Sequence, residues 1–326
     1  MSSPHLLNQT NKPIPNKHQV GRFAPSPSGP LHFGSLVAAL GSYLIAKSDA
    51  AKWLVRIEDI DPPREIAGAS DTILRQLEAF GLHWDGDITY QSQHLERFEE
   101  ILNQLKAQGL LYACHCTRKQ IAEFSHSQSI KHGLYPNICA NKNLAFDGTD
   151  ADGKGEAVAW KLRHGLNQYS YHDAIQGHCQ FDEALYREDF TVKRKDGLIA
   201  YQLAVVVDDI EQNIDHVVRG CDLLDSTPRQ LRLYEVLGQT APDYYHLPLA
   251  INQEGNKLSK QNHAPAIEAE NASVLLCDAL SFLGQNPDPE WVLETPTTII
   301  SYAIERFSLE KIPQKQQISY LPRSSD

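Results

Sequence analysis

The 326-residue chain has no surplus of positive charge: 30 Lys and Arg stand against 41 Asp and Glu, a formal net charge of −11. Coating of nucleic-acid phosphates scales with the Lys and Arg offered to the backbone, so this balance excludes a generic polyanion binder while leaving room for a local basic face. The chain also has no run of roughly 18 apolar residues, the length a membrane-spanning helix needs. The nearest approach, LIAYQLAVVV, is interrupted by Gln202. The opening MSSPHLLNQTNKPIPNKHQ lacks an apolar h-region and a small-residue cleavage site, so residues 1–19 read as a disordered leader and not a signal peptide. Nor is there a disulfide framework. Of the six cysteines, Cys179, Cys221 and Cys277 stand alone and read as small buried hydrophobes, in keeping with a reducing compartment. Repeats and low-complexity tracts are missing as well. These absences imply a cytoplasmic protein with no membrane association. Its 41% hydrophobic and 22% charged residues are ordinary for a globular chain, long enough for two domains or one large α/β domain with insertions.

What is present first is an alternation of strand and helix. QVGRFA reads as a buried strand, GSLVAALGSYLIAK as a helix with apolar residues at 36, 40, 43 and 44, KWLVRIED as the next strand, and EIAGASDTILRQLEAFGL as a helix stopped by Gly81. Such spacing implies parallel strands joined by right-handed crossovers, the first half of a doubly wound α/β core over residues 20–113. Residues 114–189 are polar and rich in Gly and Asn, the texture of an insertion. Strand-like pieces resume at AVAWKLRH and DFTVKRKDGLIAYQLAVVVDD, with Lys195-Asp196-Gly197 as a hairpin turn. The second half of the core spans 190–262. It contains the strand HVVRG and a helix TPRQLRLYEVLG with Thr227 as N-cap, Pro228 at N1, Gln230 at N3 and Gly238 as stop. Residues 263–326 read as helical and then fray.

Two segments carry chemistry. RFAPSPSGPLHFGSLVAAL crowds Pro25, Pro27, Gly29 and Pro30 into a stiff loop that delivers His32 and Gly34 to the first turn of a helix. At the carboxyl end of a parallel strand, that turn offers backbone N–H groups, a positive dipole end and an imidazole to a bound anion. QEGNKLSKQN sets Lys257 and Lys260 on a Gly/Asn-flanked loop, where two ammonium groups can clamp a polyphosphate as its charge migrates in phosphoryl or nucleotidyl transfer.

Together these segments resemble the two signatures of class I aminoacyl-tRNA synthetases, His-Ile-Gly-His and Lys-Met-Ser-Lys-Ser. Their surroundings, LVRIEDIDPPR, DGLIAYQLAVVVDDI and DHVVRGCDLLDSTPRQ, look like the glutamyl branch, in the expected order from Arg22 to Gln261. The resemblance implies a Rossmann-type catalytic core, Mg-ATP as substrate, and a pocket for glutamate. Glu58 would meet the α-ammonium, Arg22 and Arg219 the carboxylates, and Tyr201 would supply a hydroxyl and a wall. Ser26 and the backbone of Phe23, Ala24 and Pro25 would complete it. His32, Gly34, Ser35, Lys257 and Lys260 would meet ATP, with His32 and Lys260 acting on the reacting phosphates. Three departures stand out: Ser35 replaces the last His of the first signature, Val205 occupies the place of an Asn four residues after the pocket tyrosine, and Gln261 replaces the last Ser of the second.

A glutamate–tRNA ligase carries a large anticodon-binding region after its second signature, whereas only residues 261–326 follow Lys260 here. The shortened chain with Cys-x-Cys and Tyr-x₃-Cys in its insert is similar to the family that glutamylates the queuosine base in the anticodon arm of tRNA(Asp). A truncated ligase charging a tRNA 3′ end, or a decayed RNA-binding relative, is the alternative. The family pattern implies one structural Zn²⁺ on Cys114, Cys116, Cys139 and Tyr135; His115 and His132 are rival fourth ligands. A monomer is expected.

Overall fold

The computed structural model describes residues 19–127, 134–149, 155–165, 170–181, 183–258 and 265–321. The strand–helix alternation of the first half is realised as β1 (Val20–Phe23), α1 (Phe33–Ser48), β2 (Lys52–Ile57), α2 (Ala69–Ala79), β3 (Thr89–Tyr90) and α3 (Leu95–Ala107). An insert follows, made of β4 (Leu111–Cys114), α4 (Arg118–Ser127), β5 (Ala159–Leu162), β6 (Ser170–Asp173), β7 (Gly177–Gln180), α5 (Glu183–Tyr186) and β8 (Phe190–Lys193). The core resumes with α6 (Tyr201–Glu211), β9 (His216–Gly220), α7 (Thr227–Val236) and β10 (Asp243–Leu247). The chain continues through β11 (Leu249–Ile251), α8 (Ala272–Phe282), α9 (Pro296–Arg306) and β12 (Gln317–Ser319).

The central sheet has the order β10-β9-β1-β2-β3, all parallel. From β1 the chain winds outward through β2 and β3, then returns to the other side of β1 with β9 and β10. That reversal opens a crevice at the carboxyl ends of β1 and β9, where doubly wound sheets bind their ligands. Helix α1 lies against this centre with Leu36, Ala39, Leu40 and Leu44 fully buried beside Trp53, Val55 and Ile57 of β2 and Leu276 and Leu280 of α8. Gly41 lets α1 approach the end of β10: a Cβ there would stand 2.6 Å from Cδ1 of Leu247.

The insert is not a separate body. Its antiparallel sheet β4-β5-β8 contributes Leu111, Leu162, Phe190 and Val192 to the same apolar cluster as Phe98 and Leu102 of α3, Leu203 and Val206 of α6, and Leu233 of α7. The β6–β7 hairpin bonds to the outer strand β10, with Ala174 N–H donating to Tyr244 O at 2.9 Å.

Four local expectations are corrected. YQLAVVVDDIE is helix α6, not strand; its Leu203–Asp209 run is buried on every side, and an apolar run enclosed all round has no period to separate the two forms. Helix α2 starts at Ala69 and not at Glu65, because Gly68 is left-handed at φ 75°. Thr227 is not an N-cap, since a 3₁₀ turn over Cys221–Ser226 runs directly into α7. The C-terminal segment does not fray at 317–319, where β12 pairs with β11, and Tyr320 stacks on Phe33 with ring centroids 3.5 Å apart. No helix among the described residues is long and apolar enough to cross a membrane.

Candidate active site

The loop after β1 is tied down by its neighbours: Pro25 O accepts the N–H of Glu58 at 3.0 Å and Pro27 O that of Ile66 at 2.9 Å. His32 ends the loop in an extended conformation as the N-cap of α1. Its Nδ1 accepts the backbone N–H of Ser35 at 3.2 Å, and its Nε2 lies 3.0 Å from the Ser35 hydroxyl. With Nδ1 accepting, the neutral ring carries its proton on Nε2. Gly34 is required by crowding, because a Cβ would stand 2.9 Å from Leu258 O and 3.2 Å from the His32 ring. His32, Gly34, Ser35, Gly220, Asp222 and Lys257 line a cavity of about 430 Å³ at the β1/β9 crevice. Lys257 is ion-paired with Asp222 there. Lys260, together with Ser259 and Gln261, lies outside the described residues.

A second cavity, of about 300 Å³, adjoins the first, with Ser26 and Ser28 lining both. Glu58, Gln91, Arg194 and Tyr201 are among the polar residues that line it, beside Asp61, Arg64 and Glu65. Beneath it lies a buried ion network. Arg22 holds Asp209 through Nε at 3.0 Å and Nη2 at 3.2 Å, and Arg56 donates to the same carboxylate at 2.7 Å. Arg56 Nη2 also stands 3.6 Å from Glu58 Oε1, and its Nε 3.7 Å from Asp208. Burial alone would raise the Asp209 pKa, but Arg22 and Arg56 outweigh it and hold the carboxylate below its ordinary value. Glu58 goes the other way: burial pushes it up to about 7, against the opposing pull of Arg56 and Arg22. Glu58 Oε1 is buried with no hydrogen-bond partner among the described residues. Burial and the neighbouring Glu58 raise the Tyr201 phenol.

Ser26, Glu58 and Tyr201 line this second cavity, whereas Arg22, expected to meet a substrate carboxylate, lines neither cavity because its guanidinium is buried against Asp209. Phe23 and Pro25 line the larger cavity, while Ala24 lines neither. Arg219 also lines neither, although its charge acts on the Tyr201 phenol. Its guanidinium is held by Nε to His246 Nε2 at 2.9 Å, Nη1 to Gln230 Oε1 at 2.6 Å and Nη2 to Thr227 Oγ1 at 2.8 Å. The Thr227-x-x-Gln230 spacing that looks like a capping box is therefore an arginine clamp. Asp209, Arg56, His246 and Asp173 were not singled out from sequence; their partners lie far away along the chain, and no short motif carries the pairing.

In the insert, Cys114, Cys116 and Cys139 place their sulfurs within 4.8 Å of one another, all buried. Cys116 and Cys139 are 3.3 Å apart, and the Tyr135 hydroxyl sits 3.2 Å from Cys114 Sγ while accepting the Cys139 N–H at 3.0 Å. A tetrahedral zinc with 2.3 Å bonds needs sulfurs roughly 3.8 Å apart, so this donor set fits a metal after small adjustments. His115 points elsewhere, with Nδ1 3.7 Å from Glu156 at the surface. His132 lies outside the described residues. The loop that carries Tyr135 is fastened to the core: Glu188 accepts the Tyr135 N–H at 2.9 Å and the Arg229 Nε–H of α7 at 2.9 Å.

Residues 19–274 match the family of class I tRNA synthetases (E and Q), catalytic domain. A glutamyl-Q tRNA(Asp) synthetase of Pectobacterium atrosepticum is 49% identical over 301 residues, 92% of this chain and 88% of that one. The protein of the same name from Serratia proteamaculans is 48% identical over 303 residues, covering 93% and 95%. Among solved structures, a glutamate tRNA ligase from Elizabethkingia meningosepticum, in complex with its amino acid, superposes with a TM-score of 0.77 at 24% identity, over 94% of this chain and 68% of that one, which bears on the fold. The chain belongs to the glutamyl-Q tRNA(Asp) synthetase family within the class I tRNA synthetases, and it is a ligase of the aminoacyl-tRNA synthetase type.

Proposed function

We propose that the chain condenses glutamate with ATP to glutamyl-adenylate and pyrophosphate, and then passes the glutamyl group to a hydroxyl of queuosine in the anticodon of tRNA(Asp), releasing AMP. The observation that carries this reading is the pair of adjoining cavities at the β1/β9 crevice, joined at Ser26 and Ser28. One has an acidic end fit for an ammonium, and the other the cap of a helix and a lysine fit for phosphates. The relatives' shared name supports the acceptor.

In the smaller cavity Glu58 receives the α-ammonium. With Glu58 ionised, Arg22 and Arg56 set against Asp208, Asp209 and Glu58 leave one net negative charge, which favours a cation there. Arg219 is the carboxylate anchor and Tyr201 the wall. In the larger cavity the Nε2–H of His32, which faces the Ser35 hydroxyl without ligand, turns to phosphate when the nucleotide binds, Gly34 admits the nucleotide against the backbone of α1, and Lys257 exchanges Asp222 for the phosphates. Lys260 acts on the leaving pyrophosphate. Mg²⁺ travels with ATP. Cys114, Cys116, Cys139 and Tyr135 would hold a structural zinc that cross-links the insert.

Exchange of labelled pyrophosphate into ATP, with each amino acid offered singly, tests the first half. Glutamate alone is expected to support it; exchange driven by another amino acid, or by none, contradicts the pocket assignment.

A further inference from the structure

Arg22 and Arg219 are the two arginines that the family resemblance assigns to substrate carboxylates, yet they are held in opposite ways. Arg22 is engaged side-on by the carboxylate of Asp209, which neutralises it. All three tethers of Arg219 named above are neutral groups: an imidazole nitrogen, an amide oxygen and a hydroxyl. A guanidinium has five N–H donors. Among the described residues three are engaged, which leaves one on each terminal nitrogen and a charge that no carboxylate of those residues touches.

The neutrality of the imidazole tether is enforced. His246 Nδ1 lies 2.6 Å from Asp173 Oδ2, with both side chains fully buried. The Tyr171 hydroxyl is also near Nδ1, but at 3.4 Å. Asp173 presents only acceptors, so Nδ1 carries the proton and Nε2 presents its lone pair to the Nε–H of Arg219. Burial and Arg219 together hold His246 below its ordinary pKa despite Asp173, which keeps the ring neutral. Asp173 is itself immobilised: its Oδ1 accepts the backbone N–H groups of Ile175 at 3.0 Å, Gln176 at 2.8 Å and His246 at 3.2 Å. It comes from the β6–β7 hairpin of the insert, so an inserted element sets the orientation of an arginine on the central sheet.

We infer that Asp173 and His246 are positioning residues for glutamate, a relay that fixes the tautomer facing Arg219 and so holds its guanidinium plane, charged and aligned, for a substrate carboxylate. The inference rests on the proposed role of Arg219.

The three backbone donors at Oδ1 make Asp173→Asn a decisive variant. Its carbonyl oxygen must remain where those donors point, which turns the NH₂ toward His246 Nδ1. Two donors then meet unless the ring moves its proton to Nε2, where it opposes the Nε–H of Arg219. In pyrophosphate exchange, the KM for glutamate should rise roughly ten- to a hundred-fold, as for the loss of a hydrogen bond to a charged group. The KM for ATP and kcat at saturating glutamate should stay within about twofold. An unchanged KM for glutamate, or parallel increases for both substrates, overturns the relay. Nitrogen-15 NMR of the wild-type ring provides a second readout that needs no variant: Nδ1 protonated and Nε2 bare is expected, and a protonated Nε2 overturns the relay. If the wild type performs no glutamate-dependent exchange, the functional reading fails first. If Asp173→Asn is normal while Arg219→Lys raises the glutamate KM, only the relay fails.

Discussion

Ser35 reaches both nitrogens of His32, its backbone N–H bonding Nδ1 at 3.2 Å and its hydroxyl standing 3.0 Å from Nε2. The residue that departs from the first signature thus holds the histidine that keeps to it. His32 caps α1, and the proposed function gives it a second, separable job, to present a ring N–H to phosphate.

His32→Asn separates them. Asparagine is a good N-cap, so the variant should melt within about 1 kcal/mol of the wild type, whereas His32→Ala should lose about 1 kcal/mol or more. Both should lower the rate of pyrophosphate exchange by roughly 10²-fold, the scale of losing one donor to a developing negative charge. An Asn variant with normal exchange would leave His32 a capping residue only.

Glu58 gives a pH dependence with a definite sign. Its carboxyl is raised to about 7 by burial, above the roughly 4.3 of an exposed glutamate. Without ligand, the folded chain therefore holds a proton that the unfolded chain has released, and the stability this contributes is lost as pH rises through 7. A substrate ammonium needs the ionised form. The kcat/KM for glutamate should rise through pH 7, and glutamate should raise the melting temperature more at pH 8 than at pH 6. Glu58→Gln should flatten both profiles at low affinity; retention of the rise in that variant assigns it to another group.

Much of this arrangement was legible beforehand, and the failures have physical reasons. The strands VGRF, KWLVRI and HVVRG and the stop glycines Gly81 and Gly238 rest on local chemistry and are found as expected, with φ of 71° and 65° at the two glycines. Helix α6 looks like a strand in the sequence because Val205, Val206 and Val207 favour strands and their helical environment is supplied by distant elements. Thr227 and Gln230 look like caps in the sequence because the partner that claims them, Arg219, sits on another element. The Asp173–His246 pair spans the insert and the outer core strand, a separation of 73 residues that no pattern in either segment announces.

The thiol cluster predicts a metal content. Protein purified without chelator should contain about one zinc per chain, the capacity of a single four-donor shell. Cys139→Ser should lose it and lower the melting temperature. Tyr135→Phe should weaken it, and His115→Ala should leave it intact because that ring faces Glu156. Metal-free wild type with full activity would end the assignment, and zinc loss in His115→Ala would move the fourth ligand.

The C-terminal segment should prove structural. Tyr320 stacks on Phe33 and donates its hydroxyl to Asp278 at 3.0 Å. Tyr320→Ala should destabilise the fold by about 1–3 kcal/mol, and Tyr320→Phe by no more than about 1 kcal/mol, as read by denaturant unfolding. Equal losses in the two variants would assign the stabilisation to the hydroxyl and not the stack.

The central claim is the identity of the acceptor. Labelled glutamate and ATP should be supplied with tRNA(Asp) that contains queuosine and with tRNA(Asp) that lacks it, and the label mapped to the anticodon arm or the 3′ end. Single-stranded loop bases can be splayed out and read directly, which is how the proposed function brings the modified base to the crevice at β1 and β9. The account predicts label on queuosine-containing tRNA(Asp) alone, in the anticodon arm, surviving removal of the 3′-terminal adenosine. Label on the 3′ end of tRNA(Glu), with none in the anticodon arm, would contradict it.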